Sequence, residues 1–205
     1  MGFYDRWILP TLLDRVMRQS EIARFRRGVV PAARGRVLEI GVGSGLNLPL
    51  YTDEVTAVVG LDPSERLLAM ARRRAEGSAV PVELVQGSAT AIPLDDASID
   101  MLVMTWTLCS IPEPVAALGE MRRVLRPGGA LLFVEHGLSP QDGVARWQHR
   151  LTPLWRRIGG GCHLNRKVDD LLRLGGFEIA QLANEYAVGP RPMTYMYQGR
   201  AIKPA

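Results

Sequence analysis

An apolar run, Val37-Leu38-Glu39-Ile40, passes directly into a loop with glycine at every second position, Gly41-Val42-Gly43-Ser44-Gly45. A second apolar run from Val55 ends on a lone carboxylate in Gly60-Leu61-Asp62-Pro63-Ser64. Short apolar runs bounded by turn residues read as strands buried on both faces, which belong in parallel sheets covered by crossover helices. Alternate glycines let the loop backbone approach a ligand, and a carboxylate at the carboxyl end of the next strand is placed to grip a ribose. The pair therefore reads as a nucleoside-binding strand-helix-strand unit. It is not the dinucleotide fingerprint G-x-G-x-x-G, because Leu46 stands where the last glycine is required and the pattern is E-x-G-x-G-x-G. A ligand-free turn is the bland alternative for the loop. Asp62, followed by Pro63 and by Glu65 three residues on, equally fits a helix N-cap, and a cap at that place still faces the crevice.

Strands and helices alternate onward. Strands are expected at residues 36–40, 55–61, 82–85, 99–105 and 130–135, and helices at 63–75 and 114–124, where Leu67, Met70, Ala71 and Leu118, Met121, Leu125 recur at helical spacing. The rhythm then breaks: 137–164 is a long segment carrying Trp147, Trp155 and many arginines. A helix at 165–174, capped by Asn165 and stopped by Gly175-Gly176, and two strands at 178–182 and 193–201 follow.

The 205 residues, 47% hydrophobic and 22% charged, suit one sizeable domain, 1–205. The longest apolar-rich run, 101–111, is too short to span a bilayer, and the first residues lack the basic-then-apolar order of a secretion signal, so a cytoplasmic protein is expected. Cys109 and Cys162, 53 positions apart, have no C-x-x-C or zinc-ligand spacing, so neither a disulfide framework nor a metal is expected, and Cys109 reads as a small buried hydrophobe. Charge is uneven: residues 1–36 hold 8 basic and 3 acidic side chains, 37–142 hold 7 and 14, and 143–205 hold 10 and 4. Basic ends around an acidic middle suit an anionic substrate, a phospholipid surface or nucleic acid, or simply solvated helix faces.

With Leu94-Asp95-Asp96-Ala97-Ser98-Ile99-Asp100 and Val124-Leu125-Arg126-Pro127-Gly128-Gly129 added to the first loop, the chain from about Arg34 onward resembles class I S-adenosylmethionine-dependent methyltransferases. Thr107-Leu108-Cys109-Ser110, Val134-Glu135-His136, Pro153-Leu154-Trp155 and the stretch from Ile158 through Gly159-Gly160-Gly161-Cys162-His163 to Arg166 are most similar to the small thiol methyltransferases of the methyltransferase-like group. The eukaryotic members of that group carry an N-terminal membrane anchor that is not seen here. The resemblance implies a Rossmann-like α/β fold with a doubly wound, mostly parallel seven-stranded sheet and an antiparallel last strand. It implies S-adenosylmethionine as cofactor, with S-adenosylhomocysteine as product. Glu39 and the backbone of Gly41, Gly43 and Gly45 would face the methionine part, Asp62 the ribose, and Ser88 and Ala89 the adenine, with Pro63 or Ser64 on its other side. Many relatives carry an acidic residue at Ser88 or Ala89, which this chain lacks. Thr105 and Trp106 would sit near the sulfonium.

A sulfonium methyl is already activated, so the protein has to align the nucleophile and exclude water. On this reading residues 1–33 form a helical lid and 137–164 part of a substrate cap, with His136 and His163 as catalytic candidates and Tyr4, Trp7 and Cys162 as substrate-binding candidates. His136 also fits a structural strand end, and His163 a glycine-shaped turn. Phe3, Tyr4, Trp7, Ile8 and Leu9 fit a lid or a membrane-touching face as well as a terminal helix packed on the core. The expected partner is a small-molecule methyl acceptor, a thiol, with a phospholipid amine or a quinone as the alternative; the basic N-terminal segment offers peripheral membrane contact. Nucleic-acid methylation is disfavoured because 105–108 lacks the N/D-P-P-Y/F motif, and a non-catalytic nucleoside-binding module is the remaining class.

Overall fold

The computed structural model describes residues 4–204; Phe3, grouped above with the lid, lies outside them. A π-helical turn, Tyr4–Ile8, leads into α1 (Leu9–Met17) and α2 (Ser20–Val29) before the sheet begins. The strands are β1 (Gly35–Ile40), β2 (Val55–Asp62), β3 (Val82–Gln86), β4 (Ile99–Thr105), β5 (Leu125–His136), β6 (Glu178–Tyr186) and β7 (Tyr195–Ile202). Between them run α3 (Glu65–Ala75), α4 (Pro114–Val124), α5 (Asp142–Ile158), α6 (Val168–Leu174) and the short α7 (Arg191–Thr194).

The sheet has seven strands in the order β3-β2-β1-β4-β5-β7-β6. The first five pair in parallel, whereas β7 runs antiparallel to both β5 and β6. The α/β class, the doubly wound parallel sheet and the antiparallel last strand are thus as expected. Each central strand is an apolar run because both faces are covered. On one face Leu38, Ile40, Leu102 and Phe133 pack under Leu118, Met121 and Leu172 from α4 and α6. On the other, Val37, Val58, Val103 and Val134 pack with Phe25 and Val29 of α2 and Leu68 of α3. Strand order reverses between β1 and β4, the place where open α/β sheets bind ligands beyond the strands' carboxyl ends.

Four local expectations are corrected. No α-helix joins β1 to the parallel β2, where a strand-helix-strand unit was expected; the glycine loop and the short 3-10 turn Leu48–Leu50 connect them. Ser64, not Asp62, caps α3: its hydroxyl accepts from the Leu67 amide at 3.4 Å, while Asp62 ends β2 and its Oδ1 accepts from the Ser64 amide at 2.8 Å. The helix expected from Asn165 starts at Val168, and Asn165 instead lies 2.9 Å from His149 Nδ1. The segment 137–164 is mostly α5, a 17-residue helix with Pro153 inside it. Its buried Gln148 accepts from the Ser139 amide and donates to the Gly137 and Pro192 carbonyls, pinning the helix to the end of β5 and to α7. No helix among the described residues is long and apolar enough to cross a membrane.

Candidate active site

A cavity of about 600 Å³ opens at the carboxyl ends of β1, β2, β4 and β5, roofed by α1, α2 and the end of α5. Its first half is built around two buried carboxylates. Glu39 accepts from Asn47 Nδ2 at 2.9 Å and from the Tyr51 hydroxyl at 2.7 Å, and Asn47 Nδ2 also reaches Thr105 Oγ1 at 3.0 Å. Burial pushes the Glu39 carboxyl up to about 7, against the pull of those donors and of Arg26. Asp62 Oδ2 accepts from the Gly43 amide at 2.9 Å, tying the glycine loop to the end of β2, and burial raises its pKa despite the Gly43 and Ser64 amides.

The glycines divide by task. Gly43, at φ +55°, has open space where a side chain would start, the nearest atom being the Gly41 carbonyl oxygen at 3.9 Å, so its missing side chain leaves room in the cavity. Gly41 lines the cavity too, but a Cβ there would collide with the Thr107 side chain. Gly45 does not reach the wall: at φ +81° a Cβ would sit 2.9 Å from Leu48 and 3.1 Å from the Ala71 backbone, so this glycine permits α3 to pack. Pro63, Ser64, Ser88, Ala89, Thr105 and Trp106 all line the cavity.

These residues fit S-adenosylmethionine. Asn47 lines the cavity beside Glu39, and its buried Oδ1 has no partner among the described residues, which leaves an acceptor free near the carboxylate for an ammonium group. Asp62 keeps unused lone pairs for a diol, and the space left by Gly43 admits a ligand against the loop backbone.

The second half of the cavity is shaped by a backbone kink. Trp106, in the left-handed region at φ 51°, turns the chain after β4 so that the Thr107, Leu108 and Cys109 amides all donate to the fully buried Glu135, at 2.7, 2.9 and 3.4 Å. Its Glu135 carboxyl is raised to about 7 by burial, partly offset by these amides. Like Glu39 in β1, Glu135 is the penultimate residue of an apolar strand.

Three side chains far apart in sequence converge here: Cys109, His136 and Cys162 place their ligating atoms within 4.8 Å of one another, and all three line the cavity. His136 Nε2 is 2.8 Å from Cys162 Sγ, which also receives the Trp155 indole N–H at 3.3 Å. Burial works against a charged His136 ring, but the Cys109 thiol and Glu135 outweigh it and hold its pKa above the usual value. The nearby Cys109 thiol draws the Cys162 thiol down, while the neighbouring Cys162 and burial push Cys109 up. Arg166, anchored on the Leu108 carbonyl, brings a positive charge to the two thiols and Glu135.

Other sequence candidates lie elsewhere. His163 does not line the cavity; its Nδ1 faces the Cys109 carbonyl at 3.1 Å and its backbone amide donates to the same oxygen, a turn-fixing role. Tyr4 donates to the Ile158 carbonyl at 2.8 Å, closing the end of α5, and Trp7 lies half-exposed with Arg66 4.7 Å over its ring. Neither lines the cavity. Unforeseen contributors come from α1 and α3: buried Asp14 accepts from Ser44 Oγ at 2.5 Å and from Arg74 at 2.9 Å, locking the glycine loop under the N-terminal helix.

Residues 38–133 match the model of a methyltransferase domain. The chain is 35% identical to thiol S-methyltransferase TMT1B of Rattus norvegicus, over 82% of this chain and 70% of that one. It is 40% identical to a phosphatidylethanolamine N-methyltransferase of Cereibacter sphaeroides, over 76% of this chain and 77% of that one. A SAM-dependent methyltransferase from Aquifex aeolicus shares the fold at a TM-score of 0.68, with 19% identity, 95% of this chain and 98% of that chain covered. The sheet with its reversed strand order, the carboxylate-lined cavity and these likenesses agree: the chain belongs to the class I S-adenosylmethionine-dependent methyltransferases, enzymes that here act on small molecules.

Proposed function

We propose that the acceptor is a small thiol, methylated on sulfur. The observation that carries this reading is the make-up of the cavity beyond Trp106. Cys109, Cys162, His136 and Trp155 line it, the Glu135 carboxylate at that end is engaged by backbone amides, and the neighbouring formal charge, Arg166, is positive. An ammonium acceptor finds no free carboxylate there, whereas a thiolate finds soft, polarizable walls and a cation. Similarity to a thiol S-methyltransferase supports the same choice.

S-adenosylmethionine, when bound, supplies an activated methyl group. Glu39, Asn47 and Asp62 would hold its charged and hydroxyl ends. α1, α2 and the end of α5 roof the site and exclude water, acting as the lid and cap expected of the segments before β1 and after β5. Arg166 favours loss of the acceptor proton to solvent, leaving a thiolate whose lone pair would take the methyl group while the electrons of the broken methyl–sulfonium bond stay on the departing sulfur. Turnover read as S-adenosylhomocysteine release should appear with alkyl or aryl thiols and be absent with demethylated quinones. Turnover confined to amines or quinones would overturn the assignment.

A second reading, a phospholipid amine acceptor met at a membrane surface in the cytoplasm, is favoured by Trp147, Leu154 and Ile158, which α5 leaves 54%, 60% and 47% exposed among its arginines. Phosphatidylethanolamine vesicles in the same screen separate the two.

A further inference from the structure

The chain has two cysteines, and the fold brings both to one wall of the cavity together with a histidine from a third segment. Cys109 comes from the loop after β4, His136 from the last position of β5, and Cys162 from the turn after α5. Each is at most 9% exposed, and the exposure they keep is toward the cavity. A disulfide scaffold does not explain the arrangement, since both thiols are free and a histidine stands against one of them.

We propose that Cys109, His136 and Cys162 bind a zinc ion whose fourth position opens to the cavity. Two thiolates and one imidazole are ligands that zinc takes tetrahedrally, and three protein ligands with one open position mark reactive rather than structural sites. Tetrahedral bonds of ordinary length set the two sulfurs about 3.8 Å apart and each sulfur about 3.6 Å from the ring nitrogen. The observed atoms already lie within 4.8 Å of one another, so the widest separation closes by about 1 Å through side-chain rotation. The His136 and Cys162 pair, at 2.8 Å, opens by a similar amount to admit the ion. Outer contacts that orient such ligands are in place: the Trp155 indole donates to Cys162, and Ser110 Oγ lies 3.5 Å from Cys109 Sγ.

The inference deepens the thiol reading and rests on it for its purpose. A thiol entering the open position loses its proton to solvent on ligation and is held as a thiolate at neutral pH. His136 then ligates rather than taking a proton. On methyl transfer the sulfur lone pair shared with zinc forms the sulfur–carbon bond, and the electrons of the broken methyl–sulfonium bond remain on the departing sulfur. The neutral thioether binds zinc weakly and leaves, with no net oxidation or reduction.

The test is metal binding alone, with the full chain demetallated and reduced. Cobalt(II) titration should saturate at one equivalent with thiolate-to-cobalt charge-transfer bands and the strong visible bands of tetrahedral coordination. Zinc should bleach them. Because no other cysteines exist, reaction of the protein with a disulfide reagent should report two thiols without zinc and protected thiols with it, a reading that needs no variant. Cys109→Ser and Cys162→Ser, checked for folding by thermal melts, should each lose the bands. Absence of the bands, unprotected thiols, or binding that survives both substitutions would overturn the site. The bands without thiol turnover would leave the site standing and sink the acceptor assignment; thiol turnover undiminished after chelation, in protein shown to be metal-free, would overturn the zinc's part in the reaction and leave the acceptor.

Discussion

Glu39→Gln should make the cofactor-free protein more stable at alkaline pH while weakening its hold on S-adenosylmethionine. Burial lifts Glu39 from an ordinary 4.5 to about 7. A folded-state pKa above the unfolded one means that the stability the protonated carboxyl brings is complete below pH 4.5 and is lost as pH rises to about 7. The difference corresponds to about 3 kcal/mol at pH 8. Glutamine never ionises and can keep both neighbours: its carbonyl accepts from Asn47 Nδ2, and its amide donates to the Tyr51 oxygen, which serves as acceptor once its own proton turns away. At pH 8 the variant should melt about 6 to 12 °C above the parent, and at pH 5 the gap should shrink to about 2 to 4 °C, because only about 1 kcal/mol of the difference remains there. Glu135 and Asp62, also raised by burial, leave a remaining slope in both proteins. Thermal melts without ligand from pH 5 to 8.5 read the effect, and calorimetry with S-adenosylmethionine reads the lost affinity. A constant melting difference across that range, or a variant less stable at pH 8, would refute the argument that an ionised Glu39 strains the empty site.

Asp62→Asn should weaken S-adenosylmethionine binding by roughly 1.5 to 3 kcal/mol in calorimetry, the worth of a hydrogen bond to a charged group; unchanged affinity removes Asp62 from the site. Gly43→Val fills the open space beside the loop and should cost cofactor affinity at least about tenfold beyond a stability loss of roughly 1 to 3 kcal/mol from its positive φ. Equal affinity in titrations of the two proteins would show that the loop does not meet the ligand. Phe25→Ala should destabilise the protein by about 3 to 5 kcal/mol in urea, because Phe25 is 1% exposed in the core. By the same reasoning, removal of residues 1–28 should abolish folding; a soluble, cooperatively melting product would show that α2 is only a lid.

The sheet was legible because its strands are apolar runs between punctuating glycines and prolines, and the cofactor half because it is local: Gly41 to Gly45 and Asp62 lie on two consecutive parallel strands and the glycine loop that leaves the first. α5 was not, since Pro153 and the arginines blur a helical stripe whose buried members include Gln148 and Thr152, polar residues that periodicity does not count. In the sequence Glu135 shows only as the middle of Val134-Glu135-His136, although it stands one residue before the end of its strand just as Glu39 does. The convergence of Cys109, His136 and Cys162 lies beyond any spacing rule, because it depends on the left-handed Trp106 and on the glycine turn after α5, which aim three segments at one point. Gly45 shows the reverse error: a residue inside the right motif whose task is packing.

The placement of β7 between β5 and β6 has a consequence for how the protein is made. β6 leaves the ribosome before β7, yet it has no neighbour in the sheet until β7 arrives to pair with it on one side and with β5 on the other. A nascent chain halted anywhere before Tyr195 therefore carries the open edge of β5, Ala130 through His136, as a bare template for another chain. The cavity is open to the same danger, because Met193 and Met196 are among the last residues to reach its wall. Vectorial synthesis thus completes the nucleotide half of this enzyme early and withholds closure of the acceptor half until the final strand slots in.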